Sequence, residues 1–144
     1  AIIVTTPQDI ALSDVRKGAD MFRKVKTPIL GVVENMSGLI INGIVKDANG
    51  DTVNGGTIVT DVGSDYQIEN NGKFELSLDL FKKGGGLAES KRLDIPLLGQ
   101  IPISNDIVSA TDNGEPLIRF NPDHKASKIY MSIVEKMTSI LEDA

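Results

Sequence analysis

The chain has no cysteine, no tryptophan and one histidine in 144 residues. Without thiols it forms no disulfide, and that composition suits a cytoplasmic protein. Aromatic residues are scarce, two Tyr and four Phe, too few for a platform on which single-stranded bases could stack. Positive charge is also short. Fifteen Lys and Arg stand against twenty Asp and Glu, a net charge of −5. Nucleic-acid affinity rests largely on cations neutralising phosphates, so this balance excludes a nucleic-acid partner. No apolar run approaches the roughly 20 residues a membrane-spanning helix needs. The opening Ala-Ile-Ile-Val is too short and uncharged for a secretory signal. It is also strand-like from the outset and has no initiating Met, so we expect a piece of a longer chain.

What is present is ordinary globular material: 40% hydrophobic and 24% charged residues, with enough chain to bury about 70% of its unfolded surface. Ile2–Thr5 is a β-branched run stopped by Pro7 and reads as a buried strand. Asp9 offers an N-cap, and Val15, Ala19 and Phe22 follow at helical spacing, predicting a helix over 9–25. Pro28 opens the next segment, and Ile29–Val33 is an uninterrupted apolar run, the mark of a strand covered on both faces. Together they make one right-handed βαβ unit.

From Leu39 to Phe81 the periodicity changes to two. Phe74, Leu76, Leu78 and Leu80 alternate with Lys73, Glu75, Ser77 and Asp79, as in a half-buried antiparallel strand. Ile44–Val45, Thr57–Thr60 and Tyr66–Ile68 are its expected partners, and Asp47–Asp51 and Asn70-Asn71-Gly72 are turn signals. Residues 39–81 therefore read as a small antiparallel sheet inserted into an α/β domain formed by 1–38 and 82–144. After Gly84–Gly86 a short helix ends near Leu93. Pro96–Ile101 is a second buried strand that Pro102 should stop. Ile103–Thr111 is a short helix closed by Asn113-Gly114. Asp123 caps a final helix whose Ile129, Ile133, Met137 and Ile140 form one apolar stripe.

Few residues suggest chemistry by themselves. His124 stands beside a helix start without a thiol partner, so we read it as an exposed cap-region residue and expect no metal site. Ser13, Ser37 and Ser104 lack the context of an activated nucleophile. Lys82-Lys83 and Glu142-Asp143 read as solvated pairs. The series Asp47, Asn49, Asp51 fails as an EF-hand, because its sixth position is Thr52 and its twelfth Ile58. No catalytic constellation emerges.

Several separated segments, kept in order, carry a resemblance. VTTPQDIALSDVRKGADMF, GVVENMSG, DLFKKGGGLAESKRLDIPLLGQIPIS and SATDNGEP together resemble the later part of the Mrp-type branch of the ParA/MinD superfamily, P-loop ATPases that carry iron–sulfur clusters. The resemblance implies a partial three-layer P-loop NTPase-like α/β fold with a mostly parallel sheet, plus the inserted antiparallel segment. It also implies an adenine site. The Asn ending the GVVEN strand, here Asn35, would read the adenine edge, since a carboxamide offers one donor face and one acceptor to N7 and N6. Pro102, Ile103 and Ser104 would wrap the other side of the base. Both groups are expected at the carboxyl ends of strands, where open α/β sheets bind ligands.

Three departures limit what this chain does by itself. It has no G-x-x-x-x-G-K-[ST] motif, hence no phosphate cradle and no hydroxyl for Mg²⁺. It has none of the cysteines with which the family bridges a cluster between two subunits. An inserted β segment, which has a faint likeness to half of a carboxypeptidase-regulatory-like β-sandwich, stands where those cysteines would be. The expected role is accordingly the adenine-side half of an ATP-binding iron–sulfur carrier, homo-oligomeric and cytoplasmic, serving recipient proteins and unable to hydrolyse ATP alone. The alternative is a non-enzymatic interaction module built on the insertion.

Overall fold

The β-branched opening run pairs as expected. In the computed structural model, which describes residues 1–61 and 64–143, strand β1 (Ile2–Thr5) lies parallel to strand β2 (Gly31–Ile44), with Ile3 opposite Val32 and Thr5 opposite Glu34. Helix α1 (Asp9–Lys24) forms the crossover. Its N-cap is Gln8, not Asp9; Asp9 lies inside the first turn, where its charge favours the helix dipole and receives the Lys82 ammonium. After β2 come β3 (Thr57–Val59), β4 (Asp65–Gln67), β5 (Lys73–Leu78), α2 (Gly85–Leu93) and β6 (Leu97–Ile103). Helices α3 (Asn105–Asp112), α4 (Leu117–Phe120) and α5 (Lys125–Glu142) complete the order.

Two compact units result, one from Ala1–Gly38 with the segment from Asp79 onward, the other from Leu39–Leu78. In the first, β2 is flanked by β1 and β6, and neighbouring residues alternate between two cores. Ile3, Val32 and Leu97 meet Val15 and Ala19 of α1 and Leu93 of α2. Ile2, Val33 and Leu98 instead meet Ile107 of α3 and Ile129, Ile133, Met137 and Ile140 of α5. The period of two in the strands and of 3.6 in the helices thus produces a helix–sheet–helix sandwich. The α5 stripe anticipated from sequence is the one buried. Among the described residues, no helix is long and apolar enough to cross a membrane.

In the second unit, Leu39–Ile44 of β2 pairs antiparallel with β5, and β3 pairs antiparallel with β4. The alternation in β5 holds: Phe74, Leu76 and Leu78 are half-buried, and Lys73, Glu75 and Ser77 exposed. At the first turn the Asp47 carboxylate accepts the Asn49 and Asp51 N–H groups, each at 2.9 Å, so the acidic series serves a turn.

Four sequence expectations need correction. Strand β2 does not end near Val33 but runs to Ile44, so Asn35 is interior to it; the later half of the strand is the partner of β5. Pro102 does not stop β6 but lies within it, tolerated because β6 has β2 as its only strand partner among the described residues. The cap of α5 is His124, whose Nδ1 accepts the Ala126 N–H at 3.1 Å, while Asp123 pairs with Lys128. His124 is also half-buried, with Nε2 3.0 Å from Asp106 on α3, rather than exposed. Helix α4 has no counterpart in the sequence expectation.

Candidate functional site

Asn35 sits where β2 changes character. Residues up to Glu34 pair with β1, and residues from Leu39 pair with β5. Between those ladders Met36 adopts a left-handed backbone with φ of 58° and Gly38 one of 84°. Such a φ costs a β-carbon residue about 1–2 kcal/mol, so local bonds must hold Met36 there. One is supplied by Asn35, whose Oδ1 accepts the Met36 N–H at 3.0 Å. That bond uses one of the two lone pairs on Oδ1 and leaves the Nδ2 hydrogens without an intramolecular acceptor among the described residues. The carboxamide therefore retains both functions that an adenine N6/N7 edge demands.

Immediately before it lies a residue that the motif reading passed over. Glu34 is 0% exposed, a carboxylate directly after the buried apolar residues Val32 and Val33 of β2. Burying that group is costly unless its oxygens are hydrogen-bonded. Oε2 accepts the Gly86 N–H at 2.5 Å; Oε1 accepts the Ser37 hydroxyl and the Gln100 amide, each at 2.7 Å. Gly86 lies in the first turn of α2, whose N-cap, Gly84, has no side chain to satisfy the orphan N–H groups. Glu34 does so from β2 and adds a negative charge at the helix's positive end. Only glycine fits opposite: a β-carbon on Gly86 would stand 2.7 Å from Glu34 Cβ, and one on Gly85 2.6 Å from the Pro7 carbonyl oxygen. Gly85 and Gly86 are thus required by close approach, and Gly84 by its left-handed backbone with φ of 81°.

The other expected contacts lie on β6, the neighbour of β2. Pro102 is buried, Ile103 is the half-buried last residue of the strand, and Ser104 is the N-cap of α3, its Oγ accepting the Asp106 N–H at 3.2 Å. Asn35 makes no hydrogen bond to these three among the described residues. The link is indirect, through Gln100 of β6 reaching Glu34 and, at 3.3 Å, Ser37. Further along, α3, α4 and α5 enclose an apolar groove of about 430 Å³ lined by Ile107, Ala110, Leu117, Ile118 and Tyr130 among others. None of the four expected residues lines it.

A second buried carboxylate joins α1 to α2. Glu89, 1% exposed, meets Arg92 at 2.5 Å and Arg16 at 3.3 Å. Burial pushes its carboxyl up, but the hydrogen bonds and charges of Arg92 and Arg16 outweigh that and hold it below the ordinary 4.5. The same pairing raises Arg92. This group packs helices and faces no candidate ligand.

The sequence lacks thiolates, the ligands an iron–sulfur cluster requires. No group of three or more His, Cys, Asp or Glu side chains among the described residues could hold a metal ion either. The residues present therefore do not fit a cluster.

Comparison with known proteins agrees with this fold. The family described as ParA, NUBPL iron-transfer P-loop NTPase, matches residues 1–74 and 64–138. The iron-sulfur cluster carrier protein of Aquifex aeolicus is 32% identical over 142 residues, covering 99% of this chain and 31% of its own length. The iron-sulfur cluster transfer protein NUBPL of Mus musculus is 31% identical over 144 residues, 100% of this chain and 36% of its own length. The chain thus spans about a third of the curated relatives it matches. Among solved structures, the cell division ATPase MinD of Pyrococcus furiosus superposes with a TM-score of 0.59 at 19% identity, over 97% of this chain and 42% of its own. The septum site-determining protein MinD of Pyrococcus horikoshii gives 0.57 at 21%, over 94% and 40%. At those identities the likeness concerns the fold.

Proposed function

Since this chain belongs to the ParA family of NUBPL-type iron-transfer P-loop NTPases, we propose that it supplies the adenine-side part of an ATP site in a protein that carries iron–sulfur clusters. The observation that carries the reading is the state of Asn35. Its carboxamide is anchored through one lone pair to Met36 N–H, and its amide hydrogens are left uncommitted. Nδ2 donates to adenine N7, and the second lone pair of Oδ1 accepts from the N6 amino group. Pro102 and Ile103 cover the base with apolar surface, and Ser104 begins the helix that follows.

The phosphates fall outside this chain's chemistry, since it has no P-loop lysine or hydroxyl. Cluster ligation does too, the cluster being cargo for which the relatives are named. In this reading the 39–81 segment is an inserted subdomain with no part in the nucleotide site. Cytoplasmic location, a homo-oligomer and recipient proteins belong to the same proposal.

Calorimetry with ATP tests it. Wild-type chain binds, and Asn35→Ala weakens binding about tenfold or more, the worth of a lost bidentate base contact. Equal affinity in the two proteins would sink the adenine assignment.

A further inference from the structure

Glu34 performs a task that none of the expected site residues can. The backbone of residues 35–37 must turn through the left-handed Met36 before the strand resumes. The Glu34–Ser37 hydrogen bond, 2.7 Å long, spans that turn from one end to the other. Gln100 donates to both ends of the span, at 2.7 Å to Glu34 and 3.3 Å to Ser37, and fixes it to β6. Gly86 fixes it to α2. Four residues from three elements thus enclose one exposed, unfavourable backbone conformation, and the side chain carried at its start is Asn35.

We infer that Glu34 is a positioning residue. Its buried carboxylate locks the 35–37 turn so that the Asn35 carboxamide is already aimed before a nucleotide arrives. The inference rests on the nucleotide reading above and assigns that site its source of preorganisation. A carboxamide on a strand that could relax Met36 to an extended backbone would lose its Oδ1 anchor and would have to be ordered upon binding, which costs affinity. A buried carboxylate suits the task because it accepts several hydrogen bonds at once and cannot be left half-satisfied without penalty. The alternatives to the native turn are thereby made costly.

Three variants test this, each examined by circular dichroism, by amide NMR and by calorimetry with ATP. Glu34→Ala removes the lock. We expect the Met36 backbone and Asn35 side-chain amide signals to move and ATP affinity to fall about tenfold. Glu34→Gln should rescue both. Its oxygen still accepts from Gly86, and Ser37 and the Gln100 amide can turn over to accept from its nitrogen. If Glu34→Ala fails to fold, Gln100→Ala carries the test, since it removes one donor at an exposed position; the same signals should move with a loss of about threefold.

One result overturns the inference while the nucleotide reading stands, and another overturns it where that reading has fallen. If Asn35→Ala abolishes binding while folded Glu34→Ala, or Gln100→Ala in its place, binds as wild type does, the nucleotide site stands and positioning by Glu34 falls. If Asn35→Ala binds like wild type, or wild type does not bind, the nucleotide reading falls. Unmoved Met36 and Asn35 signals in the Glu34 or Gln100 variant would then overturn the positioning role as well. Movement in Glu34→Ala that Glu34→Gln reverses would uphold the role.

Discussion

At the scale of single residues, the two buried carboxylates Glu34 and Glu89 are satisfied in different ways. Glu34 is met by three neutral donors, Glu89 by two guanidinium groups. The difference has a pH consequence. Because the folded carboxyl of Glu89 lies below its ordinary 4.5, its contribution is complete above that value and is lost as pH falls through the folded one. In urea unfolding from pH 6 downward, the stability advantage of wild type over Glu89→Gln should be constant at first, then shrink on acidification below about pH 4.5. A gap independent of pH would show that the arginines do not hold the charge. Arg92→Met, which leaves Glu89 with only Arg16, should cost about 2 kcal/mol at neutral pH in the same assay.

At the scale of elements, the ends were harder to read than the bodies. Apolar spacing sufficed for α5 and β5, because burial of a stripe depends only on which residues are apolar. The ends depend on which polar group reaches an orphan N–H first. Of two nearby candidates, residue type favours Asp123 over His124; the cap is nevertheless His124, which also meets Asp106 across on α3. Glu34 did give a sequence signal, a lone charge inside GVVEN, but its partners are 3, 52 and 66 residues away, beyond any local pattern. The C-terminus of α2 yields a prediction. Asp94 there has φ of 55°, a conformation glycine adopts without penalty, and its charge opposes the helix dipole. Asp94→Gly should therefore raise stability by about 1 kcal/mol, seen as a higher urea midpoint with an unchanged slope.

At the scale of the whole molecule, the α/β character and the ordered motifs were legible, because a βαβ unit announces itself through a change of period. The length of β2 was not. One strand passes through both compact units, pairing with β1 first and β5 later, and its apolar run ends well before its hydrogen bonding does. After Asn35 the left-handed Met36 and Gly38 interrupt the alternation without ending the strand. The candidate site was found only to the extent that a motif names it. Asn35 could be named, whereas the residues that hold it could not.

In the first unit, the outer edge of β6 is poorly suited to receive a further strand. Strand β6 carries Pro102, which has no N–H, and Lys136 donates to the Leu98 carbonyl oxygen at 2.8 Å; a strand approaching there finds neither a full row of donors nor a full row of acceptors.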